Sequence, residues 1–230
     1  MKKVFIILLV FCVLLFGCQK SNSTSNIISP TLPKIVIDAG HGGIDGGAIA
    51  TDNTLEKDLN LQISLILVDL FRLMGYNIVT TRTDDRSIHD DGIKTIRNQK
   101  ISDIHNRLKL IDDTDAEALI SIHQNKFSES KYRGTQVFYG RLNSYSQLLA
   151  KSVQQSVKTM LQPENSREQK KGDKNIYLLY HCKKPIILVE CGFLSNSDEL
   201  SLLKTNEYQK QLCFAVFSGF AKCDTENENG

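Results

Sequence analysis

The chain has 230 residues and a formal charge of +2, with 41% hydrophobic and 23% charged residues, enough for one globular domain with its own core. Lys2 and Lys3 belong to an N-terminal segment with the marks of a targeting signal, and without them the remainder is neutral. A neutral domain without a basic stripe excludes nucleic acid as the main partner. Trp is absent and aromatics are few, which argues against an aromatic-rich carbohydrate platform.

In chain order, residues 1–18 read as a signal or membrane-anchor segment: two lysines, an apolar run over 4–16, then Gly17-Cys18. That run is short for a permanent membrane helix. Leu15-Phe16-Gly17-Cys18 is similar to a bacterial lipobox, which makes Cys18 the candidate lipidation site. An uncleaved N-terminal anchor is the alternative. Both place the protein outside the cytoplasmic membrane and hold it there. Residues 19–33, rich in Ser, Asn, Thr and Pro, read as a flexible tether that reaches roughly 50 Å when extended. The domain itself is expected over 34–223, with a polar tail over 224–230.

From Lys34 onward strands and helices alternate. Ile35, Val36 and Ile37 form a β-branched run, the mark of a buried strand. Leu59, Ile63, Leu67, Leu70 and Met74 follow helical spacing, with Gly75 as the stop. A strand over 77–82, a polar loop over 83–95 and a helix carrying Ile101, Ile104, Leu108 and Ile111 come next. A strand over 118–122 runs into His123, and a further strand covers 136–139. The helix after it is built on Leu149, Val153, Val157 and Met160. Residues 163–175 read as a surface loop, and strands are expected over 176–180 and 186–189, the second running into Glu190. A short helix over 198–203, capped by Asn196 or Ser197, and a helix over 208–220 complete the pattern. Such alternation implies a three-layer α/β domain with a mostly parallel, mixed sheet and helices on both faces.

Residues 34–47, KIVIDAGHGGIDGG, end a strand in a glycine-rich loop around His41. Carboxyl ends of strands are where ligands bind in open α/β sheets. Phosphate fingerprints do not fit, because there is no GK[ST] and Asp45 stands where GxGxxG needs its third glycine. His123 and Glu190 also lie just past strand ends. If the three strands are parallel neighbours, these side chains emerge on one edge of the sheet. Glu56, at the start of the first helix, is a fourth candidate. Two histidines and a carboxylate with an open position form a standard catalytic zinc arrangement, and a second carboxylate can act as general base. Local alternatives remain for three members: His41 as incidental to a tight glycine turn, Glu56 closing a capping box with Asn53, and His123 as a satisfied core histidine. Glu190 is harder to explain structurally, since a carboxylate ending a buried strand is costly without a partner. His89 and His105 read as surface residues. His181 and Cys182 adjoin within an expected strand and would therefore point to opposite faces. Cys182, Cys191, Cys213 and Cys223 match no zinc motif and are either disulfides or buried thiols.

IVIDAGHGGIDGGA, LEKDLNL, NRLKLID, ISIHQN and ILVECGFLSN occur in that order over residues 34–222. Their order resembles the zinc-dependent N-acetylmuramoyl-L-alanine amidases of the amidase-3 type. The resemblance implies one zinc ion held by His41, Glu56 and His123, with Glu190 as the catalytic carboxylate. It implies hydrolysis of the amide between N-acetylmuramic acid and L-alanine in peptidoglycan, a glycan strand with its stem peptide. Asn125 and Arg107 are candidates for substrate contact or support. Family members usually carry a small or apolar residue where Gln124 stands, so Gln124 is expected to tune the groove. The bare domain behind one hydrophobic segment resembles the family's sporulation branch, which prepares spore cortex for muramic-δ-lactam formation ahead of germination. That branch works between the forespore and mother-cell membranes. The sequence leaves open an accessory protein or a dimer that completes the site. The competing readings are a general wall-turnover amidase, a tethered non-catalytic binding protein, and a zinc carboxypeptidase of the stem peptide.

Overall fold

The computed structural model describes residues 33–228, with side chains through Asp224. The targeting segment, its Cys18 and nearly all of the tether lie outside the described residues. Six strands form one sheet in the order β2-β1-β3-β6-β4-β5. β1 (Lys34–Ala39), β2 (Asn77–Thr80), β3 (Ala118–Asn125) and β6 (Ile186–Phe193) are parallel. β4 (Gln136–Tyr139) runs antiparallel to β6, and β5 is a two-residue edge strand, Lys170–Lys171.

The period-2 alternation of the strands sorts their side chains into two cores. Ile35, Ile37, Ile120, Ile122, Ile187 and Val189 join the larger core with α1 (Glu56–Leu73), α3 (Tyr145–Met160) and α6 (Asn206–Glu228). Val36, Leu119, Ile186 and Leu188 face the smaller core against α2 (Ile96–Asp113) and α4 (Tyr177–His181). The arrangement is the expected three-layer domain. α5 (Ser197–Leu203) is capped by Asn196, whose side chain accepts from the amides of Asp198 and Glu199. Among the described residues no helix is long and apolar enough to cross a membrane.

Three expectations are corrected. Residues 176–180 are not a strand: Tyr177–His181 is a helical turn. Neighbouring Leu178 and Leu179 both pack into the smaller core, whereas a period-2 strand sends neighbours to opposite faces. His181 and Cys182 therefore end a helix rather than alternate across a strand. The last helix runs on to Glu228 and takes in most of the expected tail. His89 is half-buried rather than a surface residue, whereas His105 is exposed as expected. The described cysteines lie buried; Cys182, Cys191 and Cys213 are thiols, not disulfides.

Candidate functional site

β1, β3 and β6 lie side by side, so their carboxyl ends open on one edge. His123 and Glu190 are register partners there, on the face turned toward α2 and α4. His41 sits one turn beyond β1 in a left-handed conformation (φ 61°) that costs a non-glycine residue about 1–3 kcal/mol. The turn is held by mutual backbone hydrogen bonds between Gly42 and Asp45, at 2.9 and 3.1 Å. Carbonyls on its approach are gripped as well. Arg107 donates to the oxygens of Ala39 and His41, and Arg82 donates to those of Ala39 and Gly40.

Glu56 opens α1 without a side-chain cap, and Asn53 instead has a positive φ of 68°, so the capping box does not form. The carboxylate turns inward. Its Oε2 accepts from the Ala48 amide at 2.8 Å and its Oε1 from the Gln124 amide at 3.1 Å. The same Oε1 lies 3.2 Å from His41 Nε2 and 3.0 Å from His123 Nδ1. Donor atoms of His41, Glu56 and His123 lie within 4.8 Å of one another, a group that can hold a metal ion. Two imidazole nitrogens and a carboxylate oxygen make a donor set suited to zinc. Asp45 Oδ2 holds His41 Nδ1 at 2.8 Å, which leaves Nε2 directed at the cluster. Glycine is required around this packing. A Cβ on Gly40 would stand 2.2 Å from the His123 ring, and one on Gly47 would stand 2.6 Å from Glu56 Oε2.

The electrostatics follow from these contacts. Burial opposes a charged His41, but the hydrogen bonds its ring donates to Asp45 and Glu56, with their negative charges, outweigh it and push the ring up to about 9. Glu56 is also desolvated, yet the two histidines drive its carboxyl far below the usual carboxylate range. Glu190 behaves oppositely: burial dominates and raises it to about 7. Its Oε2 is buried and has no hydrogen-bond partner among the described residues. His41, His123 and Glu190 line a cleft of about 390 Å³, walled by α2 and residues 175–178.

Arg107 lines the cleft but is only 2% exposed, and its donors are taken up by Asp38, Asp103 and the loop carbonyls. It supports the site. Asn125 lies past a register shift, paired with Phe193 and outside the cleft lining. Gln124 does not reach the groove. It is buried on the α1 side, and its Nε2 donates to Asn60 Oδ1 at 3.2 Å. Sequence reasoning passed over Asp45 and Asn60, although each stands four residues from a candidate ligand. Lys100, 2.6 Å from Asp45 Oδ1, gave no local sign.

A mostly parallel sheet with this cluster and a buried carboxylate at its strand ends is the layout of a hydrolase. The chain belongs to the amidase-3 family, N-acetylmuramoyl-L-alanine amidase, which matches residues 35–222. It is 35% identical over 224 residues to the germination-specific N-acetylmuramoyl-L-alanine amidase of Bacillus subtilis (strain 168), covering 95% of this chain and 93% of that one. It is similar to the CwlD amidase of Clostridioides difficile, solved in complex with the GerS lipoprotein. That likeness has a TM-score of 0.81 and 40% identity over 84% of this chain and 98% of that one. An N-acetylmuramoyl-L-alanine amidase of Clostridium difficile 630 matches with a TM-score of 0.72 and 28% identity, over 84% of this chain and 96% of that one.

Proposed function

We propose that this amidase uses one zinc ion held by His41, Glu56 and His123 to cleave the muramoyl–L-alanine amide of spore cortex peptidoglycan, in the maturation that precedes germination. The single observation that carries the chemistry is Glu190: a buried carboxylate whose Oε2 has no hydrogen-bond partner among the described residues, in register with His123 and facing the cleft. Bound zinc supplies Lewis acidity toward water and toward an amide carbonyl. Glu190 takes the proton of the attacking water at Oε2 and delivers it to the leaving alanine nitrogen. Asp45 keeps the His41 ring oriented, and the backbone amides of Ala48 and Gln124 keep Glu56 aimed.

The cortex assignment draws on the likeness to the germination-specific relative and on the expected short tether. Tethering through Cys18 or an uncleaved anchor raises the effective concentration of enzyme beside its polymer. The enzyme works in the space between forespore and mother-cell membranes, and an accessory protein, like the lipoprotein bound to the clostridial relative, completes its assembly. A deletion strain is expected to grow and divide normally but to form spores whose cortex lacks muramic-δ-lactam and which germinate poorly. Normal lactam content in those spores returns the protein to general wall turnover. Intact-mass analysis of membrane extracts tests the anchor: a diacylated Cys18 terminus supports lipidation, and an unmodified Met1 terminus supports an uncleaved helix.

A further inference from the structure

The cleft is poor in usable positive charge. Apart from the histidines, its lining cations among the described residues are Arg107 and Lys100. Arg107 is buried and committed to Asp38, Asp103 and backbone carbonyls. Lys100 differs. It projects from α2 with its side chain 48% exposed and makes one contact, 2.6 Å to Asp45 Oδ1. An ammonium has three donors, so two remain for a ligand. Asp45 is itself pinned on its other oxygen by His41 Nδ1 at 2.8 Å and on Oδ1 by the Gly47 amide at 3.2 Å. One rigid carboxylate thus fixes the Lys100 ammonium beside the metal ligand. The remaining ionisable lining groups are the carboxylates Asp38, Asp45, Asp103 and Glu190 and the phenol of Tyr177, none of them cationic. An acidic group entering the cleft therefore has one place to go.

We propose that Lys100, held by Asp45, reads the free α-carboxylate of the second stem-peptide residue, so that the enzyme prefers D-isoglutamate to D-isoglutamine at that position. The proposal rests on the amidase reading and deepens it. In a stem peptide the residue after L-alanine is a γ-linked D-glutamate, whose α-carboxyl is either free or amidated. It lies one residue step, about 3.8 Å between Cα atoms, from the alanine whose amide is cut. Lys100 and His41 are held by the two oxygens of one carboxylate, at 2.6 and 2.8 Å, so the ammonium lies within a residue's reach of the metal ligand. Arg107 cannot serve, because taking it would strip Asp38 of its buried partner.

Two synthetic substrates test this: N-acetylmuramoyl-L-alanyl-D-isoglutamate and its isoglutamine counterpart, with the zinc-loaded full domain. Wild type is expected to favour the acid in kcat/KM by roughly ten- to hundredfold, the scale of a charge-assisted hydrogen bond. Lys100→Met should bring the ratio close to one, and Lys100→Arg should keep most of it. Equal cleavage of both substrates by wild type overturns the proposal while leaving the amidase reading intact. A Lys100→Met variant that slows both by one common factor also overturns it, since that is what a merely structural lysine does. Cleavage of neither substrate by wild type removes the amidase reading and this proposal with it. Calorimetry with the product dipeptides L-alanyl-D-isoglutamate and L-alanyl-D-isoglutamine gives an independent readout: Lys100→Met must weaken the first selectively.

Discussion

Asp38 and Arg107, 69 residues apart in sequence, meet at 2.5 Å with side chains 1% and 2% exposed. Burial alone would raise the Asp38 carboxyl, but Arg107 and the hydroxyls of Ser121 and Thr81 hold it at about 2, below its ordinary 3.8. A folded pKa below the unfolded one gives stability that is complete above the unfolded value and lost as pH falls through the folded one. The pair therefore contributes about 2 kcal/mol above pH ~4 that disappears toward pH ~2. Denaturant unfolding of metal-free protein across that window should show the slope. Asp38→Asn should flatten this part of it and lower stability by about 1–3 kcal/mol at neutral pH, because buried Arg107 loses one of its two carboxylate partners and keeps only Asp103.

His123→Ala removes one of the three donor side chains of the His41–Glu56–His123 cluster and should abolish most metal retention, measured by elemental analysis after desalting. Full zinc occupancy in that variant would contradict the ligand set.

Glu190→Gln keeps shape and should keep the metal, since Glu190 is outside the three-donor cluster. Turnover is expected to drop by roughly two to four decades, the usual scale for positioned proton transfer. Near-normal release of new L-alanine amino termini from peptidoglycan would make the carboxylate structural.

Gly40→Ala places a methyl 2.2 Å from His123 Nε2, a distance no relaxed structure tolerates. The ring must leave its position, so zinc affinity, read by competition with a chelator, should fall by about ten- to hundredfold as when a ligand's support is lost. Unchanged affinity would show that β1 can yield at that point.

Much of this architecture was legible because it is written in periodicity. The apolar runs at 35–37, 118–122 and 186–189 all became strands of the parallel sheet, and each delivered its polar successor to one edge. The helix over 177–181 was not legible. A five-residue apolar run bounded by polar loop fits either state, and what decides is the space under β6 that Leu178 and Leu179 fill. Gln124 was misjudged for a related reason. A register shift follows His123, and the parity of β3 sends the two neighbours to opposite faces, one to the cluster and one to Asn60 on α1. Lys100 was invisible because its partner is 55 residues away, across a loop that no periodicity describes.

The edge of the sheet has its own consequence. β5, its outermost strand beyond β4, consists of two exposed lysines. A neighbouring chain that tried to extend the sheet there would find almost no ladder to join and would have to strip water from two ammonium groups. Short, lysine-bearing edges are how β-proteins avoid fusing edge to edge. At that edge crowded copies of this chain are thereby kept from growing into a common sheet, with Lys170 and Lys171 as guards against aggregation.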